Sequence, residues 1–234
     1  MSRSESIPMV VIACKVFQNL LEAYLPDEVA SNITFMDYGL HRVPSKLTWS
    51  VQDEIDRIEQ PSIVILGYGL CGNGLQGVKS RQHTLVIPRA DDCIAILLGS
   101  RESYLEEFES EPGTYYLTKG WLESGSDPLK EYHEYKEKYG EADAEWLMDQ
   151  QYQHYKRLVL VAHQQEDLEN YRAQAKAVAQ FCERWGMRYE EKLGSDRYVA
   201  RLVEIANSLD TNDKDFLIVP PGSEIRQEDF IGGF

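Results

Sequence analysis

The stretch Ile63-Val64-Ile65-Leu66-Gly67-Tyr68-Gly69-Leu70-Cys71-Gly72-Asn73-Gly74 decides the fold. Four aliphatic residues in a row, stopped by glycines, make a strand buried on both faces. A parallel sheet covered by helices requires such strands. Pro61 closes the pattern before it, in which Val51, Ile55 and Ile58 share one helical face behind a cap at Thr48 or Ser50. The same alternation recurs along the chain. Strands are expected at 9–13, 33–36, 63–66, 84–88, 114–118, 157–162, 187–191 and 216–219. Helices are expected at 17–25, 93–98, 103–109, 128–155, 167–185 and 195–207.

This alternation implies an α/β fold: repeated strand-helix units forming doubly wound, mainly parallel sheets, with a ligand crevice at the C-terminal ends of the strands. Similar units open at Val10, Ile63 and Leu158, which suggests two or three lobes. The expected division is an α/β region over 7–125, a helical connector over 126–156 and a C-terminal α/β lobe over 157–222 packed on the first. The tyrosines of the connector, Tyr132, Tyr135, Tyr139, Tyr152 and Tyr155, read as amphipathic packing.

The chain has 234 residues, 43% of them hydrophobic, and a formal net charge of −15. Such an acid excess argues against binding nucleic acid or an anionic membrane surface non-specifically. No apolar run is long enough to span a bilayer, and Met1 to Ser6 lacks the layout of a signal peptide. A cytoplasmic location is therefore expected. There, four cysteines are core filler, metal ligands or catalysts rather than a disulfide scaffold.

Three of those cysteines fall at expected strand ends. Cys14 ends the first run, Cys71 lies in the glycine loop after the third, and Cys93 follows Leu85-Val86-Ile87-Pro88 in Arg89-Ala90-Asp91-Asp92-Cys93. Thiolates from three strand ends can meet at one point, and three are too few to close a tetrahedral metal site. Cys93 would lie in the first turn of a helix capped by Asp91 or Asp92, and Lys15 and Arg89 could offset thiolate charge. The bland alternative for Cys14 and Cys93 is a small buried apolar side chain. Cys182 sits in a long amphipathic helix and reads as structural.

The glycines Gly69, Gly72 and Gly74 could turn backbone amides towards a cofactor's anion or sulfide. With Gly67 they also spell G-x-G-x-x-G, the dinucleotide fingerprint, although no clear helix starts there. Arg89 is a candidate clamp for an anionic substrate, and Asp92 a candidate proton relay. Tyr116 belongs to the patch Thr114-Tyr115-Tyr116, with Thr118 and Trp121, that would wall a pocket or simply pack a sheet edge. Among the histidines only His163, at a strand end, is placed as a fourth ligand would be. No G-x-S-x-G elbow, phosphate-binding P-loop or H-E-x-x-H helix is present.

Three motifs resemble a known family. Tyr68-Gly69-Leu70-Cys71-Gly72-Asn73-Gly74, Pro88-Arg89-x-x-Asp92-Cys93-Ile94-x-x-x-Leu98-Gly99-Ser100 and Gly113-Thr114-Tyr115-Tyr116-Leu117-Thr118-x-Gly120-Trp121 resemble the bacterial and archaeal domain of unknown function 1638. The family's motif cysteines fall on Cys14, Cys71 and Cys93. The resemblance implies no defined activity, but it implies an association with corrinoid-dependent methyltransferase systems. The layout is also similar to that of quinolinate synthase, whose α/β lobes each give a cysteine to one iron–sulfur cluster.

The expectation is therefore a metal-thiolate enzyme, with a [4Fe-4S] cluster or alternatively zinc on Cys14, Cys71 and Cys93. Arg89 would orient a small anionic substrate, and Asp92 or Tyr116 would move protons. Lyase, desulfidation or methyl-transfer chemistry in one-carbon, sulfur or cofactor metabolism would suit such a site. The alternatives are a non-catalytic accessory protein of a methyltransferase system and a nucleotide-binding protein using the glycine loop.

Overall fold

The computed structural model describes residues 7–231, so Met1 to Ser6 and the last three residues of the expected loose tail lie outside it. The elements in chain order are β1 (Met9–Cys14), α1 (Gln18–Tyr24), α2 (Asp27–Ala30), β2 (Ile33–Met36), α3 (Pro44–Asp56), β3 (Ile63–Gly67), β4 (Thr84–Pro88) and α4 (Cys93–Leu98). Then come α5 (Arg101–Ser110), β5 (Thr114–Thr118), α6 (Lys119–Ser124), α7 (Pro128–Tyr139), α8 (Glu141–Tyr152), β6 (Arg157–Ala162), α9 (Gln165–Cys182) and β7 (Arg188–Leu193). The chain closes with α10 (Arg197–Ser208), β8 (Phe216–Val219) and α11 (Glu228–Ile231). The fold is α/β, as the alternation of runs implied.

The chain divides into two compact units, 1–101 with 196–234, and 102–195. This is not the expected division at 125 and 157. The expected connector is two helices, α7 and α8, whose Tyr132, Ala144, Met148 and Tyr152 are core of the second unit. The expected C-terminal lobe is split, because β8 returns to pair antiparallel with β4.

The first unit holds a five-stranded sheet in the order β2-β1-β3-β4-β8. The first four strands are parallel. From β1 the chain steps one way to β2, then returns to place β3 on the other side of β1. That reversal is a topological switch point, and ligands bind outside the strand ends there. Alternate residues feed two layers. Ile12, Val64, Leu66, Leu85 and Ile87 share a core with Leu47, Val51 and Ile55 of α3. On the other face α10 packs on β3, β4 and α1, so this sheet is doubly wound.

One local start differs from expectation. Helix α3 begins at Pro44 rather than at a Thr48 or Ser50 cap. Proline lacks the N–H that the first helical position leaves unpaired anyway, and its fixed φ suits that position. Thr48 instead donates to the carbonyls of Pro44 and Gly74. Asp196 is the N-cap residue of α10 but makes no side-chain bond to its amides; its carboxylate accepts from the Tyr24 hydroxyl.

The second unit holds three parallel strands in the order β5-β6-β7. Both crossovers advance in the same direction, so they place their helices on one face. Residues of α6, α7, α8 and α9 share a core there with Leu117, Leu158 and Leu160. Cys182 is fully buried in that core, as expected for a structural residue.

Candidate metal centre

The switch point lies between β1 and β3, and each carries a cysteine at its C-terminal end. Cys14 is the last residue of β1, and Cys71 lies in the loop that follows β3. Cys93 opens α4 after the neighbouring strand β4. The two loops are stitched together: Leu70 N–H donates to Ala90 C=O at 2.8 Å, and Cys71 N–H to Asp91 C=O at 2.9 Å. Gly69 makes this approach possible. A Cβ there would stand 2.8 Å from Ala90 O and 2.9 Å from Asp92 Cα. Cys71, Gly72 and Asn73 then run in the left-handed region, with φ of 49°, 63° and 69°. That conformation costs a non-glycine residue on the order of 1 kcal/mol.

All three cysteines are half-buried and outside any disulfide. Burial pushes the Cys14 thiol up to about 11, with nearby Asp37 adding to the shift and the Val16 N–H opposing it. Burial likewise pushes Cys71 up to about 12, helped by Asp92 and Cys14 and opposed by the N–H groups of Gly69 and Cys93. Cys93 is raised well above its ordinary value by burial, then by Asp92, Cys71 and Cys14. The sequence suggested that a helix terminus and nearby cations would favour thiolates. Desolvation outweighs both here, so without a bound cation the thiols stay protonated.

Among the described residues, no group of three His, Cys, Asp or Glu side chains is arranged to hold a metal ion. One zinc requires its ligands at a single point. In a [4Fe-4S] cluster each cysteine binds its own iron, so the sulfurs stay further apart. The donor set at these strand ends is all thiol, which suits zinc and iron–sulfur clusters alike. The buried Tyr68 belongs to the core cluster against which Cys14 and Cys71 pack. Its hydroxyl has no hydrogen-bond partner, and after burial those two cysteines and Asp37 raise its pKa.

The other expected residues have structural duties. Asp92, not Asp91, caps α4: its carboxylate accepts from Ile94 N–H at 2.8 Å and from Ala95 N–H at 3.4 Å. Burial raises its pKa against those two bonds. Asp91 pairs with Arg101 at 3.4 Å. Arg89 Nε donates to Phe216 C=O at 3.0 Å, tying β4 to β8. Lys15 is exposed, with its ammonium 5.9 Å from the Tyr38 ring.

The glycine loop does not lead into a helix, as a dinucleotide fingerprint would. A Cβ at Gly74 would stand 2.6 Å from Leu47 Cδ2, so Gly69 and Gly74 serve close packing. Gly72 serves the left-handed turn.

Tyr116 and His163 belong to the second unit. Tyr115 packs in that unit's core against Trp121, Tyr152 and Tyr155. Tyr116 lies buried beside Tyr104, with ring centroids 6.4 Å apart. The sequence reading missed Tyr68 and Asp37. Both immediately follow parallel strands, so the rule that selected the cysteines applied to them too.

No helix among the described residues is long and apolar enough to cross a membrane. Neither the curated proteins nor the solved structures yield a match to this chain. Residues 35–203 match the model of a family described as "protein of unknown function (DUF1638)". The matched span takes in Cys71, Cys93 and the strands that carry them, so the chain belongs to this family.

Proposed function

We propose that Cys14, Cys71 and Cys93 hold a [4Fe-4S] cluster in an enzyme acting on a small anionic substrate of one-carbon, sulfur or cofactor metabolism. One observation supports the reading: the neighbouring parallel strands β1, β3 and β4 each carry a cysteine at or just beyond their C-terminal ends, beside the switch point of the sheet. When bound, such a group supplies a Lewis-acidic iron with a position free for substrate.

The chain's own residues do the rest. Gly69 lets the β3 and β4 loops touch, which sets Cys71 against Cys93. Asp92 orients the first turn of α4 and with it Cys93. Arg89, fixed to β8 through Nε, supplies positive charge at the same strand end for an incoming anion. The raised thiol pKa values mean that loading must expel protons, so uptake strengthens with pH. Lyase, desulfidation or methyl-transfer chemistry suits this arrangement, and the cell's reducing cytoplasm suits its thiols.

The test is reconstitution of single variants with iron and sulfide under anaerobic conditions. Cys14→Ser, Cys71→Ser and Cys93→Ser each lose most of the bound iron, while Cys182→Ser keeps it. Full iron content in all three site variants would refute the shared site.

A second reading, an accessory protein docking on a methyltransferase system, is favoured by two exposed indoles. Trp49 is 77% and Trp146 62% exposed. Stable co-purification with such a partner, with no metal bound, would select it.

A further inference from the structure

One polar group at the thiol site is used by nothing in the fold. Tyr68 follows β3 and belongs to the core cluster that also holds Leu66, Leu70 and Leu75. The residue is only 3% exposed, and its hydroxyl has no hydrogen-bond partner. A buried hydroxyl is nearly always paired, and leaving one unpaired destabilises the fold. Phenylalanine would fill the same core without that cost. Cys14 and Cys71 pack against the same core cluster as Tyr68, and after burial these two cysteines and Asp37 raise the hydroxyl's pKa. The Asp37 carboxylate is engaged with the N–H of Gly39 at 2.8 Å. The thiols already receive N–H groups from Val16, Gly69 and Cys93. The unused group is therefore a neutral O–H donor in the cluster against which Cys14 and Cys71 pack.

We infer that the Tyr68 hydroxyl donates a hydrogen bond to the anionic ligand bound at the thiol site, and so orients the substrate's anionic oxygen or sulfur. This role rests on the three-cysteine reading above and adds a substrate class to it: small anions with an exposed oxygen or sulfur acceptor. A neutral donor suits the task. It favours such an acceptor without adding a second cation, and it disfavours an analogue lacking the acceptor, which would leave the buried hydroxyl unpaired.

The test compares the full chain with its Tyr68→Phe variant, first without metal and then after anaerobic reconstitution with iron and sulfide. Hydrosulfide, added after removal of excess reagent, is the probe. The metal-free variant is expected to melt no lower than the parent, because nothing in the fold loses a partner. Iron content is expected to be equal. Hydrosulfide is expected to bind the variant about tenfold more weakly, the loss of one hydrogen bond to a charged acceptor.

A fall of several degrees in the metal-free melting temperature would overturn the inference, since the hydroxyl would then serve the fold. Equal hydrosulfide affinity at equal iron content would overturn it while leaving the cluster standing. Iron in neither protein would remove the cluster, and this role with it.

Discussion

Burial, rather than any cation, governs the thiols. Their folded pKa values lie above the ordinary 9.0, at about 11 for Cys14 and about 12 for Cys71. The fold therefore favours the protonated form. This contribution to stability is complete below pH 9 and is lost as the pH climbs towards 11 and 12. For the metal-free protein, the urea midpoint is expected to hold steady between pH 7 and 8.5 and to fall above pH 9. A midpoint that rises across pH 9 would contradict the raised values. Alkylation by iodoacetamide should follow the same rule: slow at pH 7.5, with Cys14 levelling off near pH 11, measured by peptide mass spectrometry. Asp92 raises both Cys71 and Cys93. Asp92→Asn keeps a cap of the preferred type while removing that charge. Alkylation of these two cysteines should therefore speed up at pH 8.5.

At the scale of elements, one cap and one glycine position the cysteine loops. Asp92→Ala removes the two bonds that start α4 and is expected to cost about 1 kcal/mol in chemical denaturation. Gly69→Ala forces a Cβ to within 2.9 Å of backbone on the β4 loop and is expected to cost about 1–3 kcal/mol. It should also lower iron uptake, because the loops must part. A Gly69→Ala protein with unchanged stability would show that the loops yield cheaply.

The elements were legible in the sequence where a run was buried on both faces, as in Ile63 to Leu66 and Leu85 to Pro88. They were less legible where a single local choice decides a boundary. Thr48 offers a conventional cap, but Pro44 four residues earlier already suits the first turn. Asp91 and Asp92 are chemically equal, and only the loop path decides which carboxylate faces the α4 amides. Tyr68 reads as an ordinary core aromatic until its hydroxyl is found without a partner.

At the scale of the whole molecule, the placement of the three cysteines at the ends of neighbouring strands was legible because strand order in a parallel sheet brings successive C-terminal ends together. The unit boundaries were not, because they depend on long-range pairing. β8 joins β4 from some 130 residues away, which the separation of Phe216 from Pro88 makes plain. β5 joins β6 across three intervening helices, the last two of which were taken for a connector. Loading of the site should stabilise the chain by mass action, by about 3–4 kcal/mol if the metal is held at a hundred to a thousand times its dissociation constant. Amide protection should rise at 14–18, 68–74 and 89–96.

The most direct test of the central claim is anaerobic purification of the full chain, followed by its visible spectrum and assay of iron, sulfide and zinc. The account predicts a brown protein with about four iron and four sulfide per chain. A colourless protein that takes up neither iron nor sulfide on reconstitution would contradict it, and would return Cys14, Cys71 and Cys93 to the core.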